Sequence, residues 1–167
     1  MPKREREEFV YEPGKAVSRD VTRVVIPGSV RVVPQGACQG NRSLKEVVLE
    51  EGVAEVGPAA FYECDLLRYL RVPSTLIKIG KEAFYCCTLL REINLPEGIT
   101  EIEPGTFYDL SSLECVHFPS TLHAIGACAF DRCQLLRVVT FPGKNQSIRD
   151  CAFFDCKSLK TLSSPPP

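Results

Sequence analysis

The sequence predicts an α/β solenoid: six 23-residue coils, with a parallel β-sheet on the concave face and short helical turns on the convex side. Three observations predict it. Self-comparison gives a steady period of 23 residues, with repeats opening at Val24, Val47, Leu70, Ile93, Val116 and Val139 and a further opening at Leu162. Eight columns of that repeat hold 48 residues, of which 45 are apolar, although only 44% of the chain is apolar. Length and composition are ordinary for one domain, with 167 residues and 25% charged, so there is enough chain to bury a core.

The columns justify each element in turn. From position 21 to position 3 the repeat reads Leu-x-x-Φ-x-Φ (Φ apolar), as in Leu90-Arg-Glu-Ile93-Asn-Leu95. Alternation of that kind puts one face of a strand inward. Position 4 is proline at Pro27, Pro73, Pro96, Pro119 and Pro142, with Glu50 in the second repeat. Proline cannot donate a ladder bond, so the strand ends there. A second extended piece follows, such as Leu76-Ile-Lys-Ile79, and Gly57, Gly80 and Gly126 permit the next corner. Then comes Ala-Phe-x-x-Cys, as in Ala83-Phe84-Tyr85-Cys86-Cys87. Positions 14, 15 and 18 lie at i, i+1 and i+4, the spacing of one helical turn facing the interior. No coil buries these side chains alone, so neighbouring coils must stack.

The in-register pattern resembles the BspA-like, or treponemal-type, leucine-rich repeat, and it spans about five-sixths of the chain. The resemblance implies a curved solenoid that binds proteins, adhesion in secreted relatives, and no conserved active site. Departures fall toward the ends: Cys38 and Asn41 replace Phe and Cys in the first repeat, and Asn145 breaks position 7 in the last.

The domain reading is a charged segment and partial cap over 1–23, a solenoid over 24–162 and a Ser/Pro tail over 163–167. Phe9, Val10 and Tyr11 are the expected cover of the first coil. The C-terminal edge shows no cap in the sequence, so the expectation is a monomer or end-to-end self-association there.

Charge and cysteine content narrow the function. Twenty basic and 21 acidic residues nearly cancel, which gives no broad positive field for nucleic acid. No apolar run approaches the roughly 20 residues of a membrane helix. The N-terminal stretch MPKREREEFVYE lacks an apolar core of the secretory type. Nine cysteines, an odd number, then favour a reducing, cytoplasmic setting over a disulfide framework. The position-18 cysteines (Cys64, Cys87, Cys133, Cys156) are expected to be small buried groups. Cys128 and Cys151, both at position 13, are the better pair for oxidation.

Function is expected at the outward positions of the strand face. Its middle carries Arg68, Tyr69, Arg71, Arg91, Glu92, Asn94, Glu114 and His117. Tyrosine and arginine clustered on a rigid surface are typical interface anchors. The competing reading is a solvated ladder, since exposed charges contribute little. Cys115 and His117, two apart on one strand, are the minimum of a nucleophilic pair, but no catalytic set accompanies them, and a metal site would need more ligands. The expected function is a non-enzymatic scaffold that binds a protein partner on the concave face and uses no cofactor, metal, nucleic acid or membrane. The alternatives are an extracellular or cell-surface adhesion module, or a fragment of a larger repeat protein.

Overall fold

The computed structural model describes residues 8–141 and 147–163, the last three by backbone alone. The expectations for residues 1–7, Pro142, Asn145 and 164–167 lie outside the described residues. In chain order the first strands are β1 (Glu8–Val10), β2 (Arg23–Ile26), β3 (Val32–Val33), β4 (Glu46–Leu49), β5 (Glu55–Val56), β6 (Tyr69–Arg71) and β7 (Lys78–Ile79). Then follow β8 (Glu92–Asn94), β9 (Glu101–Ile102), β10 (Cys115–His117), β11 (Ala124–Ile125), β12 (Val138–Thr140), β13 (Ser147–Ile148) and β14 (Thr161–Ser163).

The 23-residue period becomes the register of parallel sheets. Val24 lies opposite Val47 and Val47 opposite Leu70, while Ile93 lies opposite Val116 and Val139 opposite Leu162. These strands form the strand face; the shorter ones form a second ladder, in which Val33 lies opposite Val56 and Ile102 opposite Ile125. Position 4 starts a tight turn closed by the position-7 amide, as in Val30 N–H to Pro27 C=O at 2.8 Å and Ile99 to Pro96 at 3.0 Å. Repeats 1–5 are complete turns of the solenoid within the described residues.

The inward columns pack as rows. Phe61, Phe84, Phe107 and Phe130 are fully buried and stack face to face with Phe153 beyond them, at centroid spacings of 5.2, 5.8, 5.2 and 5.3 Å. Each such pair contributes about 1 kcal/mol beyond area burial. The position-18 cysteines do more than fill space. Each S–H donates to the position-15 carbonyl of the preceding repeat: Cys64 to Cys38, Cys87 to Phe61, Cys133 to Phe107 and Cys156 to Phe130, at 3.1–3.4 Å. Asn41 takes the same place in repeat 1 and ties Ser18 C=O to the stack at 3.0 Å. At the N-terminal side β1 joins the strand face, Phe9 beside Val24, with Tyr11 buried, Phe9 half-buried and Val10 exposed.

The expected helical turns are absent from the described residues, and the fold is a β-solenoid, not α/β. The reason lies in the backbone. Positions 13 and 17 take a left-handed φ in all six repeats, between +50° and +69°: Gly36, Ala59, Glu82, Gly105, Cys128 and Cys151, then Gly40, Glu63, Cys86, Asp109, Arg132 and Asp155. A left-handed residue at every fourth place prevents i→i+4 bonding. What forms instead is a run of tight turns, such as Tyr62 N–H to Ala59 C=O at 3.1 Å. The intervening amides point along the stack: Ala59 to Lys81 C=O, Phe61 to Ala83 C=O and Glu63 to Tyr85 C=O, at 2.8–2.9 Å. Outside this column Tyr62, Tyr85 and Tyr108 stack at 4.7 and 4.4 Å.

One junction differs. Among the described residues β6 and β8 do not pair, nor do β7 and β9, so each ladder is two sheets: β1-β2-β4-β6 beside β8-β10-β12-β14, and β3-β5-β7 beside β9-β11-β13. Glu51 clamps Ser74 and Glu97 clamps Ser120 across the junctions on either side. The turn column runs on unbroken, through Glu82 to Pro104, Phe84 to Thr106 and Cys86 to Tyr108. Repeats 3 and 4 therefore meet tightly at the tyrosines and open toward the strands, and the widest phenylalanine spacing, 5.8 Å, falls between them. Repeat 4 alone carries Thr106 at position 14 and Leu110 at position 18, where other repeats have Ala and, from the second on, Cys. Its position 11 is Glu103, where a Cβ on Gly57, Gly80 or Gly126 would lie 2.6–2.7 Å from the preceding repeat. Arg149 holds that place in repeat 6 with β11–β13 still paired, so the extra bulk of Thr106 and Leu110 distinguishes the open junction.

Phe84→Ala is expected to cost about 3–5 kcal/mol in chemical denaturation, and Phe153→Ala less, because its ring is only half-buried. Ala59→Gly relieves a left-handed alanine and is expected to raise stability by roughly 0.5–1 kcal/mol in the same assay. Combining Glu103→Gly, Thr106→Ala and Leu110→Cys is expected to close the junction, read as slower hydrogen exchange at the Arg91 and Glu92 amides. Unchanged exchange would refute the steric cause.

Candidate functional site

The open junction lies under the strand face, and the outward side chains expected to bind a partner gather around it. A cleft of about 640 Å³ is lined by Arg68, Tyr69, Arg71, Arg91, Glu92 and Asn94, with Glu46 at its side. Six of the eight sequence-predicted residues thus share one cavity, supplied by β6, β8 and the residues leading into them. Glu114 and His117 stand one strand further along, both exposed, with His117 beside Asn94 in the register. Tyr69 is 68% exposed.

The charges of the cleft are unevenly satisfied. Glu46 pairs with Arg23 at 3.2 Å. Glu92 accepts from Asn94 Nδ2 at 3.0 Å and lies 3.9 Å from His117 Nε2. Arg68, Arg71 and Arg91 pair with no carboxylate of any described residue. Among the described residues the rim thus holds three arginines without a carboxylate partner, while its carboxylates are engaged. The periodicity did not reveal the apolar part of the lining, Val47, Leu70 and Leu89. Leu70 sits in an inward column, and its half-exposure follows from the opening. The available signal was the set of departures in repeat 4.

Cys115 and His117 do meet, with Sγ 3.3 Å from Nε2. Burial and then the neighbouring Glu92 push the thiol pKa up, which disfavours the thiolate that a nucleophile needs. Among the described residues no three His, Cys, Asp or Glu side chains cluster to hold a metal ion. All nine cysteines are free thiols. Cys128 and Cys151 lie on adjacent repeats with their side chains in contact, and burial, followed by the neighbouring Cys151 sulfur, raises the Cys128 pKa.

Comparison with known proteins fits this architecture. The model of the BspA type leucine rich repeat region matches in six copies, over residues 17–137 and 123–166. Among curated proteins none matches. A leucine-rich repeat protein from Bacteroides ovatus superposes with a TM-score of 0.81 at 31% identity, covering 89% of this chain and 38% of that one. One from T. pallidum gives 0.79 at 29% identity, covering 98% and 76%. A leucine rich cell surface protein from Faecalibacterium prausnitzii gives 0.75 at 29%, covering 86% and 39%. The chain spans about two-fifths of the Bacteroides and Faecalibacterium proteins. With a family match over most of its length and a register that repeats every 23 residues, the chain belongs to the BspA-type leucine-rich repeat family.

Proposed function

We propose that this protein is a non-enzymatic scaffold that binds a protein partner on its strand face. The observation that supports this reading is the cleft at the open junction, lined by exposed Tyr69, by three arginines that pair with no described carboxylate, and by Leu70 and Leu89. Aromatic and arginine anchors around a pocket are the composition of interface hot spots. A neutral thiol beside His117 offers no activated nucleophile.

The second reading places the same scaffold at a cell surface as an adhesion module. It is favoured by the similarity to the F. prausnitzii cell surface protein. The cytoplasmic setting expected from the sequence has no support among these relatives. Protease treatment of intact source cells separates the two, since a surface protein is digested and a cytoplasmic one survives.

Alanine at Tyr69, Arg71 and Arg91 together is expected to abolish capture of the partner from a lysate of the source organism. The triple variant should melt like the parent, because all three side chains are exposed. Capture that survives all three changes removes the strand face as the site.

A further inference from the structure

We infer that the cleft between β6 and β8 binds an acidic peptide segment, seating a carboxylate against Arg68, Arg91 and the free backbone amides of Arg91 and Glu92. The inference rests on the reading of the strand face as a docking surface and adds the chemistry of the partner.

The backbone carries the first argument. At the two preceding junctions two consecutive amides converge on one carbonyl oxygen: Arg68 and Tyr69 on Lys45 C=O at 2.9 and 3.2 Å, and Lys45 and Glu46 on Thr22 C=O at 2.7 and 3.1 Å. The matching bonds from Arg91 and Glu92 to Arg68 C=O are missing among the described residues, because β8 has drawn away from β6. Two donors whose counterparts at the preceding junctions share one oxygen are left without that bond, on residues that line the cleft. A carboxylate oxygen satisfies that geometry, and ionised acceptors make the stronger hydrogen bonds.

The side chains carry the second. Arg68, Arg71 and Arg91 lack partners among the described carboxylates, although the chain as a whole carries a net charge of −1. Their charge is therefore local, and complementary to a partner with a few carboxylates. Engaged Glu46 and Glu92 on the same rim disfavour a continuous polyanion such as nucleic acid. Leu70, Leu89 and exposed Tyr69 accept an apolar neighbour of the acidic residue, so the fitting segment alternates acidic and apolar side chains.

Fluorescence anisotropy with a labelled peptide alternating glutamate and leucine tests this, with a glutamine–leucine peptide and heparin as comparisons. The glutamate peptide is expected to bind at least about fivefold more tightly than the glutamine peptide. Arg68→Gln and Arg91→Gln are each expected to weaken it by about fivefold. Arg137→Gln, which changes an exposed arginine outside the cleft, should leave it unchanged. Thermal melts of the variants check that they fold. Equal binding of the glutamine peptide, equal loss with Arg137→Gln, or binding of heparin alone overturns the inference. So does failure of the glutamate peptide to bind. In that case, loss of lysate capture by Tyr69→Ala alone shows that the docking face stands and only its acidic chemistry is wrong, whereas retained capture removes both.

Discussion

No repeat of this chain can satisfy its own backbone or cover its own apolar face. The structure depends on that insufficiency. Strand amides, turn-column amides and cysteine thiols all reach into the neighbouring repeat, and the phenylalanine row is continuous only because each ring lies on the next. Stability is then a chain of nearest-neighbour terms. The turn column shows how far this goes. Nine non-glycine residues adopt a left-handed φ, each costing roughly 1–2 kcal/mol. What offsets that cost is the set of inter-repeat hydrogen bonds that the left-handed residues make possible, at about 1 kcal/mol each.

The repeat was legible in the sequence because burial leaves a column of apolar letters wherever it recurs. Val24, Val47 and Leu70 line up in print and again in the sheet. The turn column was misread because Ala-Phe-x-x-Cys has the spacing of a helical turn, and side-chain spacing says nothing about backbone handedness. Positions 13 and 17 hold glycine in only three of twelve cases. Glu82, Cys86 and Arg132 carry no local mark of a left-handed backbone, since inter-repeat bonding imposes it. For the same reason the cysteines read as fillers, while their donation to the preceding repeat's carbonyl emerged only in three dimensions.

The site was half legible. Strand alternation sends Arg68, Tyr69, Arg71, Arg91, Glu92 and Asn94 outward, and this is a local property of each strand. That they surround a cavity is a property of the junction between two repeats, and no single repeat encodes it. Glu114 and His117 satisfy the same alternation and yet stand beyond the cleft, because β8 and β10 remain paired. Leu70 belongs to an inward column and is nevertheless half-exposed.

A solenoid is well suited to hold such a discontinuity. In a globular core, extra bulk at Thr106 and Leu110 would disturb many elements at once. Here the break is confined to one junction: the turn column and the tyrosine stack still bind repeats 3 and 4 on one side, while the strands part on the other. The parting converts backbone donors that serve stability elsewhere into donors free for a ligand. It does so where the rim carries cations and an exposed tyrosine. Where β2, β4 and β6 pair in register the strand backbone is occupied, and the break between β6 and β8 leaves backbone that a partner segment could engage.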